Sequence, residues 1–324
     1  MIVRVSQIGP VDAAFEAPPS KSYTHRALIA GALAAGRSRI AGPLRAADTE
    51  LTARGLESLG VPIEWLPGEI VVAGCNGAFP APGEVTIDCG NSGTTLRLLT
   101  SAALLARLPV STTGSRRMLE RPVGPLAGAL HALGGDVAFT GRPGFPPIRV
   151  SGRLRGGKAA IDGSVSSQFV SSVLMAAPYA DDDVELTLPA TVASRSYLDV
   201  TADVMLRFGA RLERRGYDWF RVKSGVPYRG ITYWIEGDYS SASYLFAVAA
   251  VCGGRVTVTG LNPASVQGDR RFLDALEAMG CRVTAGTGAV TVERTGDLRG
   301  IDIDMSSSPD TVQTLAAVAA VAAS

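Results

Sequence analysis

A fixed internal period constrains this chain more than any other feature. Five times a short polar cluster opens onto a run of small apolar residues: Ser20-Lys21-Ser22, Asn91-Ser92-Gly93-Thr94, Ser166-Ser167-Gln168, Ser240-Ser241 and Ser308-Pro309-Asp310. Equivalent points at His25, Thr94, Gln168, Ser241 and Thr311 lie 69, 74, 73 and 70 residues apart. A second marker keeps the same beat. Gly60, Gly134, Gly209 and Gly280, spaced by 74, 75 and 71 residues, each close a helix-like segment, where glycine supplies the left-handed C-cap. Spacing of this kind means a repeated supersecondary unit, several copies of which must pack to share a core.

Each unit reads the same way. The apolar run gives way to a strand such as Val184-Glu185-Leu186-Thr187 or Arg255-Val256-Thr257-Val258. A second helix ends on the marker glycine, and alternating segments such as Ala289-Val290-Thr291-Val292 follow. Helix, strand, helix and then strands is a mixed α/β pattern. The apolar runs at 27–35, 96–106, 169–177, 244–251 and 315–323 have almost no polar stripe. Helices of that composition are expected to be buried on every side, and each is too short to span a membrane.

Composition removes several function classes. A formal net charge of +1 offers no electrostatic footprint for nucleic acid. Cys75, Cys89, Cys252 and Cys281 make no metal-binding spacing, and only His25 and His131 supply imidazole. No signal peptide or membrane span is legible, so a cytoplasmic protein is expected. Of 31 basic residues only Lys21, Lys158 and Lys223 are lysine, which makes a lysine in the first polar cluster conspicuous.

Ser, Thr, Asn and Asp at helix starts are ordinarily plain N-caps. Cations there are not ordinary, because a helix N-terminus already carries partial positive charge. Lys21, Arg26 and Arg97 all lie within a turn or two of such starts, an arrangement that an anion would compensate. Arg116, Arg117 and Arg121 form a further basic cluster, readable as a solvated face or as anion contacts. Ser194-Arg195-Ser196-Tyr197 offers another cap or phosphate contact.

These segments carry a family resemblance. Pro18-Pro19-Ser20-Lys21-Ser22-Tyr23-Thr24-His25-Arg26, Asp88-Cys89-Gly90-Asn91-Ser92-Gly93-Thr94-Thr95-Leu96-Arg97, Arg117-Met118-Leu119-Glu120-Arg121-Pro122, Ser166-Ser167-Gln168-Phe169, Glu236-Gly237-Asp238-Tyr239-Ser240-Ser241-Ala242 and Gln267-Gly268-Asp269 resemble signatures of the 5-enolpyruvylshikimate-3-phosphate synthases. The resemblance implies an inside-out α/β barrel fold in two lobes of βαβαββ repeats, with the buried helices aimed at the cleft between them. It places residues 20–235 in a first lobe on the shikimate 3-phosphate side, and 1–19 with 236–324 in a second. It also implies transfer of the enolpyruvyl group of phosphoenolpyruvate to the 5-hydroxyl of shikimate 3-phosphate, releasing phosphate, by a cytoplasmic monomer. Its partners are those two small molecules, with no cofactor, metal, nucleic acid or membrane.

Matched motif by motif, Lys21 contacts both substrates and acts in catalysis, and Asp310 accepts the hydroxyl proton while contacting shikimate 3-phosphate. Ser22, Arg26, Ser166, Ser167 and Ser194 hold shikimate 3-phosphate. Gln168 lies between the substrates, and Gly93 and Arg121 serve phosphoenolpyruvate. Asn91, Thr94, Arg97 and Tyr197 fit the motifs without an assigned role. Six such units would need roughly 430 residues, so a C-terminally incomplete second lobe, poorly packed by itself, is expected. The proton-donating Glu and the late basic residues of the family pattern would then lie beyond Ser324. Two alternatives stay open: a non-catalytic binder of shikimate 3-phosphate, and the related transferase acting on UDP-N-acetylglucosamine. The latter typically uses a loop cysteine in its second unit, and this chain has none between Cys89 and Cys252.

Overall fold

A computed structural model describes residues 8–81 and 83–323. Two units emerge: Lys21–Ile235 forms the larger, and the described residues of Met1–Ser20 join those of Glu236–Ser324 in the smaller. Strand β1 (Val11–Glu16) precedes the larger unit. There the first repeat is α1 (Lys21–Leu33), β2 (Ala35–Ala41), α2 (Ala47–Ser58), β3 (Ile63–Leu66) and β4 (Glu69–Cys75). The second comprises β5 (Val85–Asp88), α3 (Gly93–Ala102), β6 (Val110–Thr113), α4 (Gly124–Ala132), β7 (Gly135–Phe139) and β8 (Ile148–Gly152). The third comprises β9 (Gly157–Ala160), α5 (Ser167–Ala176), β10 (Val184–Thr187), α6 (Ser196–Arg207), β11 (Leu212–Arg215) and β12 (Trp219–Val222), and β13 (Thr232–Trp234) ends the unit. The smaller unit resumes with α7 (Tyr239–Cys252), β14 (Gly254–Thr259), α8 (Phe272–Ala278), β15 (Cys281–Gly286), β16 (Ala289–Arg294) and α9 (Val312–Ala319).

The repeat read from sequence is a repeat of sheet topology. The sheets run β13-β2-β4-β3, β5-β6-β8-β7, β9-β10-β12-β11 and β1-β14-β16-β15. In each, the first two strands are parallel and the later pairs antiparallel. Parallel neighbours need a crossover, and α3 and α5 supply it in the second and third sheets. The first sheet instead borrows β13 from the far end of the larger unit, with Thr232 opposite Arg39. The fourth borrows β1, with Val11 opposite Gly254. Gly60, Gly134, Gly209 and Gly280 have φ of +90°, +92°, +95° and +107°, a region that a side chain would strain. Each donates its N–H to the carbonyl three residues back, closing the helix as the spacing predicts.

Apolar packing sets what lies inside. Every residue of α1 from Tyr23 to Leu33 is buried, and α3 and α5 are buried almost as fully. Strands of the surrounding sheets alternate, as in β7, where Gly135 and Val137 are buried and Asp136 and Ala138 exposed. Sheets wet on one face with apolar helices beneath are the expected outcome of that patterning. Small residues let the layers approach: a side chain at Gly74 in β4 would collide with the Ala34 carbonyl behind α1.

In the smaller unit the expectation of all-round helix burial fails. Its core joins Phe246, Val256, Val258, Leu276, Val292 and Val318. Yet Tyr244 of α7, Val312 of α9 and Val321 beyond it stay 53%, 45% and 46% exposed. The cause is the number of neighbours. Helices α1, α3 and α5 each lie against several other helices (α1 on α2, α6 and α3, α3 on α5, α2 and α1, α5 on α3, α6 and α4), whereas α9 is the one α-helix among the main contacts of α7 in the described residues. Helix starts also differ in detail. Asp238, not Ser240 or Ser241, caps α7, its carboxylate accepting from the Ser241 N–H at 2.8 Å. Asp310 lies in a short 3-10 turn (Pro309–Thr311) ahead of α9 rather than at an N-cap.

Candidate active site

Local chemistry at the helix starts of the larger unit produces a connected polar cluster. Ser92 caps α3, its hydroxyl accepting from the Thr95 N–H at 3.2 Å. Ser166 caps α5 through the Gln168 N–H at 3.2 Å. Such caps satisfy donors that a helix cannot pair itself. Arg97, one turn into α3, crosses to the neighbouring helix and donates to Ser166 Oγ at 3.2 Å and Gln168 Oε1 at 2.9 Å. Gln168 Nε2 returns to Thr94 Oγ1 at 3.0 Å. The guanidinium also lies over the Phe169 ring, 5.1 Å from its centroid.

Lys21 opens α1 and pairs with Asp48 in the first turn of α2, Nζ to Oδ2 3.5 Å. The Asp48 backbone carbonyl lies 3.2 Å from the Thr95 hydroxyl, so Lys21 is tied to the head of α3. Beneath it runs a buried chain: His25 Nδ1 to Thr52 Oγ1 at 2.7 Å, and Thr52 Oγ1 to Thr95 Oγ1 at 2.7 Å. Burial, with Arg26 and Lys21 adding repulsion, lowers the His25 pKa to about 3, so its ring is neutral.

Arg26 is 2% exposed. It donates through Nε to Thr201 Oγ1 at 2.8 Å, through Nη1 to the Ser22 carbonyl at 3.1 Å, and through Nη2 to Ser171 Oγ and the Tyr197 carbonyl at 3.4 and 3.3 Å. These bonds occupy all but one of the N–H groups of a guanidinium. Among the described residues neither Arg26 nor Arg97 meets a carboxylate; both are held by neutral oxygens. Their pKa values fall to about 10, chiefly through burial, with Arg121 adding repulsion at Arg97. Buried cations without counter-ions are costly, and an incoming anion relieves that cost.

Arg121 reaches the start of α3: a Cβ added at Gly93 would stand 2.7 Å from Arg121 Nη1. The glycine is what allows that approach. Ser167 is buried at the head of α5, and Asn91 Oδ1 accepts from Ser115 Oγ at 3.5 Å, on the loop that follows β6. Ser194 stands just before α6 with φ +53°, in the left-handed region, which few non-glycine residues adopt.

The family model described as EPSP synthase (3-phosphoshikimate 1-carboxyvinyltransferase) matches residues 5–324. The chain belongs to the EPSP synthase family. A 3-phosphoshikimate 1-carboxyvinyltransferase of Methanoculleus marisnigri is 85% identical over all of this chain and 77% of its own length. Its namesake in Methanoregula boonei is 59% identical over 99% of this chain and 76% of its length. That of Yersinia pestis is 38% identical over 96% and 73%. Among solved structures, an EPSP synthase from Acinetobacter baumannii superposes with a TM-score of 0.81 at 24% identity, covering 95% of this chain and 71% of that one. That likeness bears on the fold, and it agrees with the α/β repeat architecture. These matches set aside the UDP-N-acetylglucosamine alternative.

For an EPSP synthase the cluster brings together Lys21, Ser22, Arg26, Gly93, Thr94, Arg97, Arg121, Ser166, Gln168 and Tyr197 through the contacts above. Asp310 belongs to the smaller unit, exposed at its 3-10 turn. Reading the sequence missed Asp48, Ser171 and Thr201. A signal for Ser171 was present: it interrupts the apolar run of α5, four residues after Ser167. Asp48 looked like an ordinary first-turn acid, and Thr201 lies 175 residues from its partner Arg26.

Proposed function

We propose that the polar cluster at the heads of α1, α3, α5 and α6 is the substrate site for the family's reaction, the transfer of a 1-carboxyvinyl group onto 3-phosphoshikimate. The observation that carries this is a buried arginine, Arg26, and a half-buried one, Arg97, which among the described residues are held only by neutral oxygens. The two substrates bring two phosphates and two carboxylates, and such a site exchanges their hydration for fixed positive charge.

The reaction joins the 5-hydroxyl oxygen to C2 of phosphoenolpyruvate while the methylene carbon gains a proton. Phosphate then leaves as that carbon gives the proton back. In this reading Lys21 spans both substrates and stabilises charge on the phosphate being released. Ser22, Arg26, Ser166, Ser167 and Ser194 hold shikimate 3-phosphate. Gly93 and Arg121 hold phosphoenolpyruvate, and Gln168, fixed between Arg97 and Thr94, separates the two. Asp310 takes the hydroxyl proton. The protein acts as a cytoplasmic monomer on these small molecules alone. The net charge is near neutral and, among the described residues, no helix is long and apolar enough to cross a membrane.

Calorimetric titration of the protein tests the assignment. Ser166→Ala should weaken shikimate 3-phosphate by about tenfold and leave phosphoenolpyruvate unchanged, while Arg121→Ala does the reverse. Substrate affinities indifferent to both changes would sink the site. Full binding with no phosphate release would favour the non-catalytic binder.

A further inference from the structure

His25 is fully buried, and among the described residues its Nε2 has no hydrogen-bond partner. The other ring nitrogen opens a chain. Nδ1 lies 2.7 Å from Thr52 Oγ1, which lies 2.7 Å from Thr95 Oγ1. Thr95 Oγ1 in turn donates to Ser92 Oγ at 2.8 Å and to the Asp48 carbonyl at 3.2 Å. His25, Thr52, Thr95 and Ser92 are each at most 1% exposed, so bulk water does not compete for these bonds.

Counting protons fixes the direction of the chain. A hydroxyl has one proton to donate. That of Thr95 goes to Ser92 or to the Asp48 carbonyl, which can only accept, and is not available to Thr52. Thr52 therefore donates to Thr95 and has no proton left for His25. The ring proton then sits on Nδ1, and Nε2 is a bare lone pair. Placing it on Nε2 instead would strand a buried N–H and break the bond to the Asp48 carbonyl. A buried donor without a partner is the rarer fault, so the Nδ1–H tautomer prevails.

The chain links three helix heads. His25 follows Lys21 by one turn in α1, Thr52 follows Asp48 by one turn in α2, and Ser92 caps α3. Asp48 meets both ends of the link: its carboxylate pairs with Lys21 at 3.5 Å, and its carbonyl accepts from Thr95. Thr95 also holds the cap twice, through its N–H at 3.2 Å and its hydroxyl at 2.8 Å to Ser92 Oγ. Gly93 comes directly after Ser92, and Arg121 lies against it. A shift of Ser92 therefore moves the surface on which Arg121 rests.

We propose that His25, Thr52 and Thr95 are positioning residues for phosphoenolpyruvate: a one-way hydrogen-bond chain, begun by the Nδ1–H tautomer of His25, holds the head of α3 in register with Lys21. This rests on the assignment of Lys21, Gly93 and Arg121 to the phosphoenolpyruvate site. The three residues act through Ser92 and the Asp48 backbone, and none is assigned to either substrate. An ordinary serine cap fixes only the first turn of its own helix. Here the same cap is tied through Thr95 to two further helices.

Two measurements on the full protein test this. His25 and His131 are the only histidines of the chain, so nitrogen-15 NMR of histidine-labelled protein sees two rings, and His131→Asn assigns them. His25 should show a protonated Nδ1 and a bare Nε2; a proton on Nε2 overturns the chain. The second measurement is calorimetric affinity for phosphoenolpyruvate with shikimate 3-phosphate present. Thr52→Val should weaken it by about tenfold and leave shikimate 3-phosphate binding unchanged. Thr52→Ser, which keeps the hydroxyl, should bind both as the parent does. Thr52→Val combined with Thr95→Val should be no weaker than Thr95→Val alone, because both break one chain. Thr52→Ala repeats the test without the added methyl if Thr52→Val fails to fold. Unmoved phosphoenolpyruvate affinity, equal losses for both substrates or additive losses in the cycle overturn the positioning role alone. No loss of phosphoenolpyruvate on Arg121→Ala overturns the site assignment, and this inference with it.

Discussion

Thr201→Val asks directly whether the buried Arg26 is held as described. Valine keeps the shape of threonine and puts a methyl where the hydroxyl stood. That hydroxyl accepts the Arg26 Nε–H at 2.8 Å, lies 2.8 Å from Ser171 Oγ and bonds the Tyr197 carbonyl at 2.9 Å. Thr201 is fully buried and Arg26 nearly so, so water cannot replace the lost partner. An orphaned charged donor costs about 2–3 kcal/mol and the Ser171 hydroxyl about 1 more, with about 1 regained from the added methyl. The net loss should be about 2–3 kcal/mol, with shikimate 3-phosphate bound at least tenfold more weakly as the guanidinium reorients. Trp65, Trp219 and Trp234, the three tryptophans of the chain, all lie in the larger unit. Urea unfolding followed by tryptophan fluorescence therefore reports that unit specifically. Thr201→Ser, which keeps the oxygen, is the control and should bind shikimate 3-phosphate normally. If Thr201→Val stayed within about 0.5 kcal/mol of the parent, the Arg26–Thr201 bond would not be holding that guanidinium.

Three further outcomes follow from the geometry. Gly93→Ala should push Arg121 aside and raise the KM for phosphoenolpyruvate by about tenfold while shikimate 3-phosphate binds as before; steady-state kinetics with each substrate varied would reveal an unmoved Arg121. His25 has a pKa lowered to about 3 in the folded state, so the unfolded chain binds its proton first. Its contribution is complete above an unfolded pKa near 6.5 and is lost as pH falls toward 3, at about 1.4 kcal/mol per pH unit. Urea midpoints at pH 7 and pH 4.5 should therefore converge in His25→Asn, and an unchanged acid slope would contradict the buried neutral ring. Amides of α9, where only Thr314, Leu315 and Val318 are buried, should exchange far faster than those of α1, buried from Tyr23 to Leu33; equal protection by mass spectrometry would refute the contrast in packing.

The repeat was legible because each copy faces the same physical demands. A marker glycine is needed wherever a helix must reverse with positive φ, so Gly60, Gly134, Gly209 and Gly280 announce the period and adopt φ of +90° to +107°. Apolar composition identified α1, α3 and α5 as interior helices. The same composition misled at α7 and α9, because an apolar helix is buried only if enough neighbours are there to cover it. Serine clusters located the helix starts but not the atoms that cap them: at α7 the work falls to Asp238, two residues before Ser240.

By itself the sequence determined the period, the order of helix and strand within it, and the concentration of Lys21, Arg26 and Arg97 near helix starts. Those are properties of neighbours along the chain, fixed by local propensity and spacing. Tertiary structure alone decided which repeats exchange strands, placing β1 against β14 and β13 against β2. It alone decided that Arg26 is held by Thr201 and Ser171 and that Arg97 is held by Ser166 and Gln168. Polar side chains such as these have no periodicity to betray their partners. Burial compels each to find one, and only the folded packing determines which oxygen is within reach.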